Sequence, residues 1–366
     1  MTRFAVTGSN GFLGWHLRAA LQESGVTVER IAIGDNFDLA AATAAVSGAP
    51  RVIHIAGINR APDDEVSTGN VLFATQLASA IRAAEVAPSV VSYANSTQSG
   101  NGTVYGEAKA EAGRILEAAA IEVGARFDNV LLPNLFGEHG RPFYNAVTAT
   151  FSHLVAQGES PTVENDKWLT LLHVQNAADL LSGARSLFDQ PTLEREIVVS
   201  ELLSKLQGIG ALYRAGEIPD VATPFDRDLF NTYRSFTFPE QAPVKLTRHA
   251  DTRGSFFEII RTHGGPGQSS FSTTEPGVSR GDHFHRRKIE RFTVLSGSAT
   301  IALRKLFTAE VIEFEVTGDA PVAVDMPTMW SHKITNTGSE TLYTSFWTND
   351  IFDPESPDTI AEAVQA

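Results

Sequence analysis

Hydrophobic and polar positions fall into two textures along this chain. In the first, short apolar runs alternate with longer amphipathic stretches. "RFAVTGSNGFLGWHLRAALQESG" (Arg3 to Gly25) reads as a strand, a glycine-rich turn and a helix, and "VERIAIGDN" as a second strand ending at Asp35. "PRVIHIAGIN", "PSVVSYANSTQ" and "NVLLPNLFG" add further apolar runs separated by helices. Strands alternating with helices of about ten or more residues predict an α/β domain with a parallel, doubly wound sheet. Between Pro219 and Gln241 the chain turns loop-like. Beyond it, "SGSATIALRKL", "AEVIEFEV", "APVAVDM", "SHKITNTG" and "TLYTSFW" are short alternating runs divided by turn residues. That spacing predicts an all-β sandwich or barrel. The expected boundary lies at residue 241, giving domains 1–241 and 242–366.

Composition narrows the classes. At 366 residues the chain is long enough for two hydrophobic cores. No apolar run approaches the roughly 18 residues of a membrane span. The N-terminus enters a strand without a signal-peptide pattern, so a cytoplasmic protein is expected. The absence of cysteine excludes disulfides, thiol nucleophiles and thiolate ligands. Any metal would have to be held by His, Asp, Glu or carbonyl oxygen. With 29 Lys plus Arg against 43 Asp plus Glu, the net charge is −14, and no basic run exceeds Arg286-Arg287-Lys288. This argues against a nucleic-acid partner. An anionic small ligand stays open, because local backbone donors can outweigh global charge.

The first turn carries such donors. Gly8, Gly11 and Gly14 are spaced three apart. In a strand–turn–helix, Gly8 permits the turn, Gly11 lets a pyrophosphate approach, and Gly14 lets the helix sit close to the strand. The N–H groups at the helix start, those of Phe12 and Leu13 among them, face the phosphates. Asp35 is placed to accept from a ribose 2′-hydroxyl, the alternative being a solvated loop acid, and Ala56 and Gly57 are small enough for close cofactor approach. Further on, "STQSGNGTVYGEAK" puts Tyr105 and Lys109 at i, i+4 on one helix face. A neighbouring ammonium favours a phenolate and brings the tyrosine into range for proton transfer. Ser96, with Thr97 as near rival, is placed to donate to a carbonyl oxygen. This Rossmann-type domain resembles the extended short-chain dehydrogenase/reductases. The resemblance implies Ser96 as carbonyl binder, Tyr105 as acid/base, Lys109 as the group that lowers its pKa and holds the nicotinamide ribose, Pro133 as a nicotinamide neighbour and Asn134 as a substrate contact. Two departures stand out: Leu131 replaces the usual arginine, and the gap from serine to tyrosine is short.

The second domain carries "GVSRGDHFHRRKIERFTVLSG" (Gly277 to Gly297). His283 and His285 are two apart, so a strand would point both to one face, and Glu290 returns on the next strand. The spacing resembles the first motif of the cupins, which implies a jelly-roll. "PTMWSHKITN" resembles the second, with His332 in place but Met329 and Pro321 where glycines are usual. His283, His285, Glu290 and His332 suit a divalent ion such as zinc, or nickel, manganese or iron. The alternative is a metal-free cupin with a polar pocket. "DTRGSFFE" and "RGDHFH" also resemble the sugar-nucleotide 3,5-epimerases, in which the position of His283 is the catalytic base and no metal is used.

Together, these halves and "HIAGINRAP", "STGNV", "NAVTATF" and "FDPESPDT" resemble the bifunctional capsular-polysaccharide epimerase/reductases. The resemblance implies a UDP-2-acetamido-2,6-dideoxy-hexos-4-ulose substrate, inverted at carbon 3 by the cupin and reduced at carbon 4 by the first domain, and a homodimer is the expected assembly. It implies NADPH, whereas Asp35 would repel a 2′-phosphate, so NADPH and NADH both stay open. The alternative is an NAD-retaining sugar 4-epimerase or dehydratase with a non-catalytic cupin for dimerisation.

Overall fold

The computed structural model describes residues 2–365, which cluster into two compact units. The first comprises residues 2–136, 140–146 and 167–198. In it, strands β1 (Arg3–Thr7), β2 (Thr27–Ile31), β3 (Arg51–His54), β4 (Val90–Ser96) and β5 (Arg126–Leu132) form a parallel sheet in the order β2-β1-β3-β4-β5. Helices α1 (Phe12–Glu23), α2 (Leu39–Val46), α3 (Asp63–Ala83) and α4 (Val104–Glu122) connect them. Successive strand residues serve opposite faces. Ala5, Val52 and Tyr93 pack with α2, α3 and α4, while Val6, Ile53 and Ala94 pack with α1. A sheet covered on both faces needs continuous apolar strands, which explains why these runs show no alternation. Strand β6 (Asn134–Phe136) pairs in a smaller mixed sheet with the later β7 (Trp168–His173) and β8 (Glu194–Val198).

The second unit comprises residues 137–139, 147–166 and 199–365. Its helices are α5 (Val147–Ala156), then, after α6 (Val174–Ser182) and α7 (Gln190–Leu193) of the first unit, α8 (Val199–Arg214) and α9 (Pro224–Arg234). The units are thus discontinuous in sequence, and a cut at residue 241 does not separate them. Helix α9 lies within the stretch that reads as loop. Thr223 caps it by accepting from the Asp226 N–H, and Pro224 occupies its first turn. Its buried face includes Asp228, Asn231 and Arg234, so apolar periodicity is masked. Those polar groups are bonded within the unit: Asn231 donates to the Arg287 carbonyl at 2.8 Å and Arg234 to that of Met326 at 3.2 Å.

The remainder is antiparallel: β9 (Val244–Lys245), β10 (His249–Asp251), β11 (Gly254–Phe256), β12 (Gln268–Thr274), β13 (Ser279–Phe284), β14 (Glu290–Ser296), β15 (Ser298–Lys305), β16 (Val311–Thr317), β17 (Val322–Met326), β18 (Trp330–Asn336), β19 (Leu342–Thr348) and β20 (Ile360–Ala361). Apart from the β10–β11 hairpin, they form two sheets, β12-β19-β14-β17-β9 and β16-β15-β18-β13-β20, a jelly-roll. Alternate residues, such as Phe292 and Val294 or Ala299, Ile301 and Leu303, fill its core.

Candidate active site and metal centre

The glycine turn is shaped by contacts that admit no side chain. Gly8 has φ +70°, and a Cβ there would lie 2.6 Å from the Ala56 nitrogen. At Gly14 a Cβ would lie 2.1 Å from the Gly8 oxygen. At Gly11 the nearest atom would be 3.5 Å away, so internal packing does not demand glycine there. Gly11 is the N-cap of helix α1, which has no side-chain cap. Its first N–H groups are donors without a side-chain acceptor, as a dinucleotide pyrophosphate requires. Strand β2 stops at Ile31, and Asp35 sits exposed in a single 3₁₀ turn, Gly34–Asn36. The Gln76 side chain draws this turn out of the sheet by bonding both the N–H and the carbonyl of Gly34, at 2.8 and 3.0 Å.

A cavity of about 330 Å³ opens beside the carboxyl ends of β3, β4 and β5. Phe12, Leu13, Gly57, Ser96, Tyr105, Lys109, Pro133 and Asn134 line it, whereas Gly8, Gly11, Gly14, Asp35 and Ala56 do not. Ser96 ends β4 and is buried, while Thr97, also on the lining, is exposed. Burial raises the Tyr105 phenol above its ordinary pKa, and a hydrogen bond with the Ser96 side chain offsets part of the rise. Lys109 is buried one turn along α4. Its ammonium donates to the Ala94 carbonyl at 2.6 Å and lies 4.2 Å from the Tyr93 ring centroid. Burial lowers its pKa to about 7. Asn134 donates to the Thr170 carbonyl at 3.2 Å.

Residues that the sequence reading missed hold the loop after β3. Thr7 accepts from the N–H groups of Ile55 and Ala56, at 3.2 and 3.3 Å, with His54 Nδ1 2.8 Å from its hydroxyl. Burial and the Lys109 ammonium hold the His54 imidazole down at about 3. Asn70 accepts from the Ile58 N–H and donates to the Ile58 carbonyl. The available signal was an asparagine on the buried face of α3.

In the jelly-roll, the ligand atoms of His283, His285, Glu290 and His332 lie within 4.8 Å of one another. His283 stands opposite His332 across the β13–β18 pair, so both rings face the same way. Glu290 opens β14 on the other sheet. The expectation that His283 and His285 share a regular strand needs correcting. Asp282 takes φ +56° in a bulge, and His285 lies one residue beyond the strand end. The turn before β18 keeps its left-handed residue: Met329 has φ +66° where glycine is usual in the motif, and is fully buried.

The hydrogen-bond pattern tests whether an ion suits this cluster. His285 Nδ1 lies 2.6 Å from the Asp358 carbonyl, and His332 Nδ1 lies 3.2 Å from the Trp330 carbonyl. Carbonyls only accept, so both Nδ1 atoms carry hydrogen, and it is the Nε2 atoms that can present lone pairs. Those lone pairs face the same Glu290 Oε2, at 3.0 and 3.2 Å. Two such acceptor–acceptor contacts need a proton or a cation between them. Despite its burial, Glu290 is held well below the ordinary carboxylate range by the two histidines against it. Burial and its two histidine neighbours push His283 down to about 4, favouring a neutral ring. Three imidazoles around one carboxylate make a donor set that fits a divalent metal.

Two family profiles match this chain. That of the NAD dependent epimerase/dehydratase family covers residues 4–191, just over half of the sequence. The chain belongs to this family. The profile described as the polysaccharide biosynthesis C-terminal domain covers residues 249–360 of this family member. The chain is 31% identical over 369 residues to a UDP-2-acetamido-2,6-beta-L-arabino-hexul-4-ose reductase of Pseudomonas aeruginosa, with 98% of each covered. It is similar to the crystal structure of the capsular polysaccharide assembling protein CapF from Staphylococcus aureus, with a TM-score of 0.61, 29% identity, and 99% and 100% of the two chains covered. Over 123 residues it is 27% identical to the spore coat polysaccharide biosynthesis protein SpsL of Bacillus subtilis, covering 31% of this chain and 82% of SpsL.

Proposed function

We propose that this family member is a bifunctional sugar-nucleotide enzyme of polysaccharide biosynthesis. Its first domain reduces the carbon-4 ketone of a UDP-2-acetamido-2,6-dideoxy-4-hexulose, and its jelly-roll inverts carbon 3, toward UDP-N-acetyl-L-fucosamine-type products. The observation that carries this reading is the convergence of Ser96, Tyr105 and Lys109 on one cavity at the carboxyl edge of the parallel sheet. Full-length similarity to a 4-ketose reductase supports it.

In the reductase domain, bound NAD(P)H supplies the hydride. Gly8, Gly11 and the start of α1 would hold its pyrophosphate, and Asp35 would meet the adenosine ribose. The Ser96 hydroxyl donates to the ketone oxygen. Tyr105 is protonated at neutral pH, because burial keeps its pKa raised, and gives its proton to that oxygen as the alcohol forms. Lys109, held by the Ala94 carbonyl, would bind the nicotinamide ribose and support the phenolate left behind. Pro133 and Asn134 complete the nicotinamide and sugar walls.

The two activities belong together chemically. The proton on carbon 3 is acidic only while carbon 4 is a ketone, because the resulting anion delocalises onto the carbonyl oxygen. A base in the jelly-roll removes that proton, and one returns to the opposite face. Reduction then removes the ketone and fixes the inverted centre. His283, His285, Glu290 and His332 would hold a divalent ion, zinc best suited by its ligands, which supplies a positive charge to the pocket. Next to this cluster, a cavity of about 250 Å³ lined by Lys288, Glu290, Phe346 and Asp350 offers room for the sugar.

The test supplies the 4-keto UDP-sugar with NADPH or NADH. Loss of absorbance at 340 nm, with equimolar alcohol formed, is expected. In deuterium oxide without reductant, label is expected at carbon 3. A chain that retains NAD and consumes no added NAD(P)H would overturn the reductase reading in favour of a 4-epimerase or dehydratase. Asp35 makes NADH the better reductant by kcat/KM.

A further inference from the structure

The segment after β19 does more than end the chain. Some 70 residues beyond the ligand loop, Asp358 makes four contacts with it. Its carboxylate accepts from the consecutive backbone N–H groups of Arg286, Arg287 and Lys288, at 2.8, 2.8 and 2.6 Å. Three successive N–H groups converging on one anion form a nest. These residues bridge His285 and Glu290, so the nest fixes the spacing between ligands on the two sheets. Its own carbonyl takes the His285 Nδ1 contact at 2.6 Å. Asp358 adopts φ +42°, a conformation rare for a residue other than glycine, and from it both its carbonyl and its carboxylate reach the ligand loop.

The residues that follow bind the other ligand strand. Strand β20 pairs with β13, setting Ala361 opposite His283 and Ile360 opposite Phe284. The Glu362 N–H donates to the Asp282 carbonyl, and the Val364 N–H to the Asp282 carboxylate, both at 2.9 Å, at the bulge that turns His283. Two of the three histidines are therefore oriented by residues 358–364.

We infer that this C-terminal segment is a clamp that orders the metal centre, with Asp358 as its positioning residue. The inference rests on the metal-centre reading above. A second sphere of this kind sets ligand orientation, and its loss typically costs about 10- to 100-fold in metal affinity.

The experiment titrates zinc(II) into full-length metal-free protein against a chromophoric chelator and records the cobalt(II) absorption spectrum. Wild type, Asp358→Ala and Asp358→Asn are compared, with the thermal midpoint of each metal-free protein measured alongside. Asp358→Ala is expected to weaken zinc by about 10- to 100-fold and to alter the cobalt spectrum. Asp358→Asn keeps one acceptor oxygen for the nest and should recover part of the loss. Were Asp358→Ala not to fold, Asp358→Asn would decide. Wild-type zinc affinity and an unchanged cobalt spectrum in the folded variants, even with a lower thermal midpoint, would leave Asp358 a purely structural role and overturn the inference. Failure of wild type to bind one equivalent of zinc would instead overturn the metal-centre reading on which it stands.

Discussion

The two candidate sites are assembled in opposite ways. In the α/β unit, chemistry comes from short stretches of chain: three glycines within seven residues, and Tyr105 and Lys109 one turn apart on α4. The sheet only has to bring their ends to a common edge. In the jelly-roll, four ligand-type side chains are gathered from β13, the turn after it, β14 and β18, and residues far along the chain contact them. Helix and turn geometry fix a local site by covalent spacing. Antiparallel strands fix a site by register, so a bulge such as that at Asp282 can turn a ligand while its sequence spacing stays the same.

If the two sites work independently, each should fail alone. The largest effect is expected from Tyr105→Phe, which removes the proton donor. Ketone reduction should fall about 10²- to 10⁴-fold, while deuterium incorporation at carbon 3 continues at the wild-type rate. Parallel loss of both activities would break the comparison.

A stability measurement sharpens it next. The Lys109 ammonium is buried, with a folded pKa of about 7 against an ordinary 10.5. Below pH 7 both folded and unfolded chains hold the proton, and the cost of burying the charge is fully present. Between pH 7 and 10.5 the unfolded chain binds more protons, so wild-type stability rises with pH through this lysine, and above 10.5 the cost is gone. Lys109→Met should therefore be more stable than wild type at pH 6.5, by on the order of a few kcal/mol. The advantage should shrink steadily toward pH 10. Denaturant unfolding at several pH values, monitored in the α/β unit, checks the slope, and a pH-independent difference would contradict the buried charge.

The smallest effect belongs to the jelly-roll turn. Met329 at φ +66° should make glycine a better small replacement than alanine, the reverse of most positions. Both truncations lose the buried side chain, but Met329→Gly should exceed Met329→Ala by about 1 kcal/mol in denaturant unfolding. Equal stabilities would mean that the turn relaxes on substitution and that register there is not rigid.

Particular residues show what was legible. The sheet and its glycine turn were readable because apolar runs, glycine spacing and helix periodicity are all short-range. The i, i+4 relation of Tyr105 and Lys109 needed only a helix. The charge state of Lys109 was not readable, since it depends on burial and on the Ala94 carbonyl. Helix α9 escaped because its buried face carries Asp228, Asn231 and Arg234, and the carbonyls that Asn231 and Arg234 meet, those of Arg287 and Met326, lie far along the chain. Asp358 escaped likewise: its motif was visible, but nothing near it in sequence says which N–H groups its carboxylate meets.

By itself, then, the sequence determined the two textures, the candidate cofactor turn, the i, i+4 pairing of Tyr105 and Lys109 and the identity of four ligand-type side chains, because each rests on composition and short spacing. Tertiary structure decided where the compact units divide, that Ser96 rather than Thr97 meets Tyr105, and what holds the histidines in place. Those features are set by burial, strand register and hydrogen bonds between residues far apart along the chain, and covalent spacing carries no record of them.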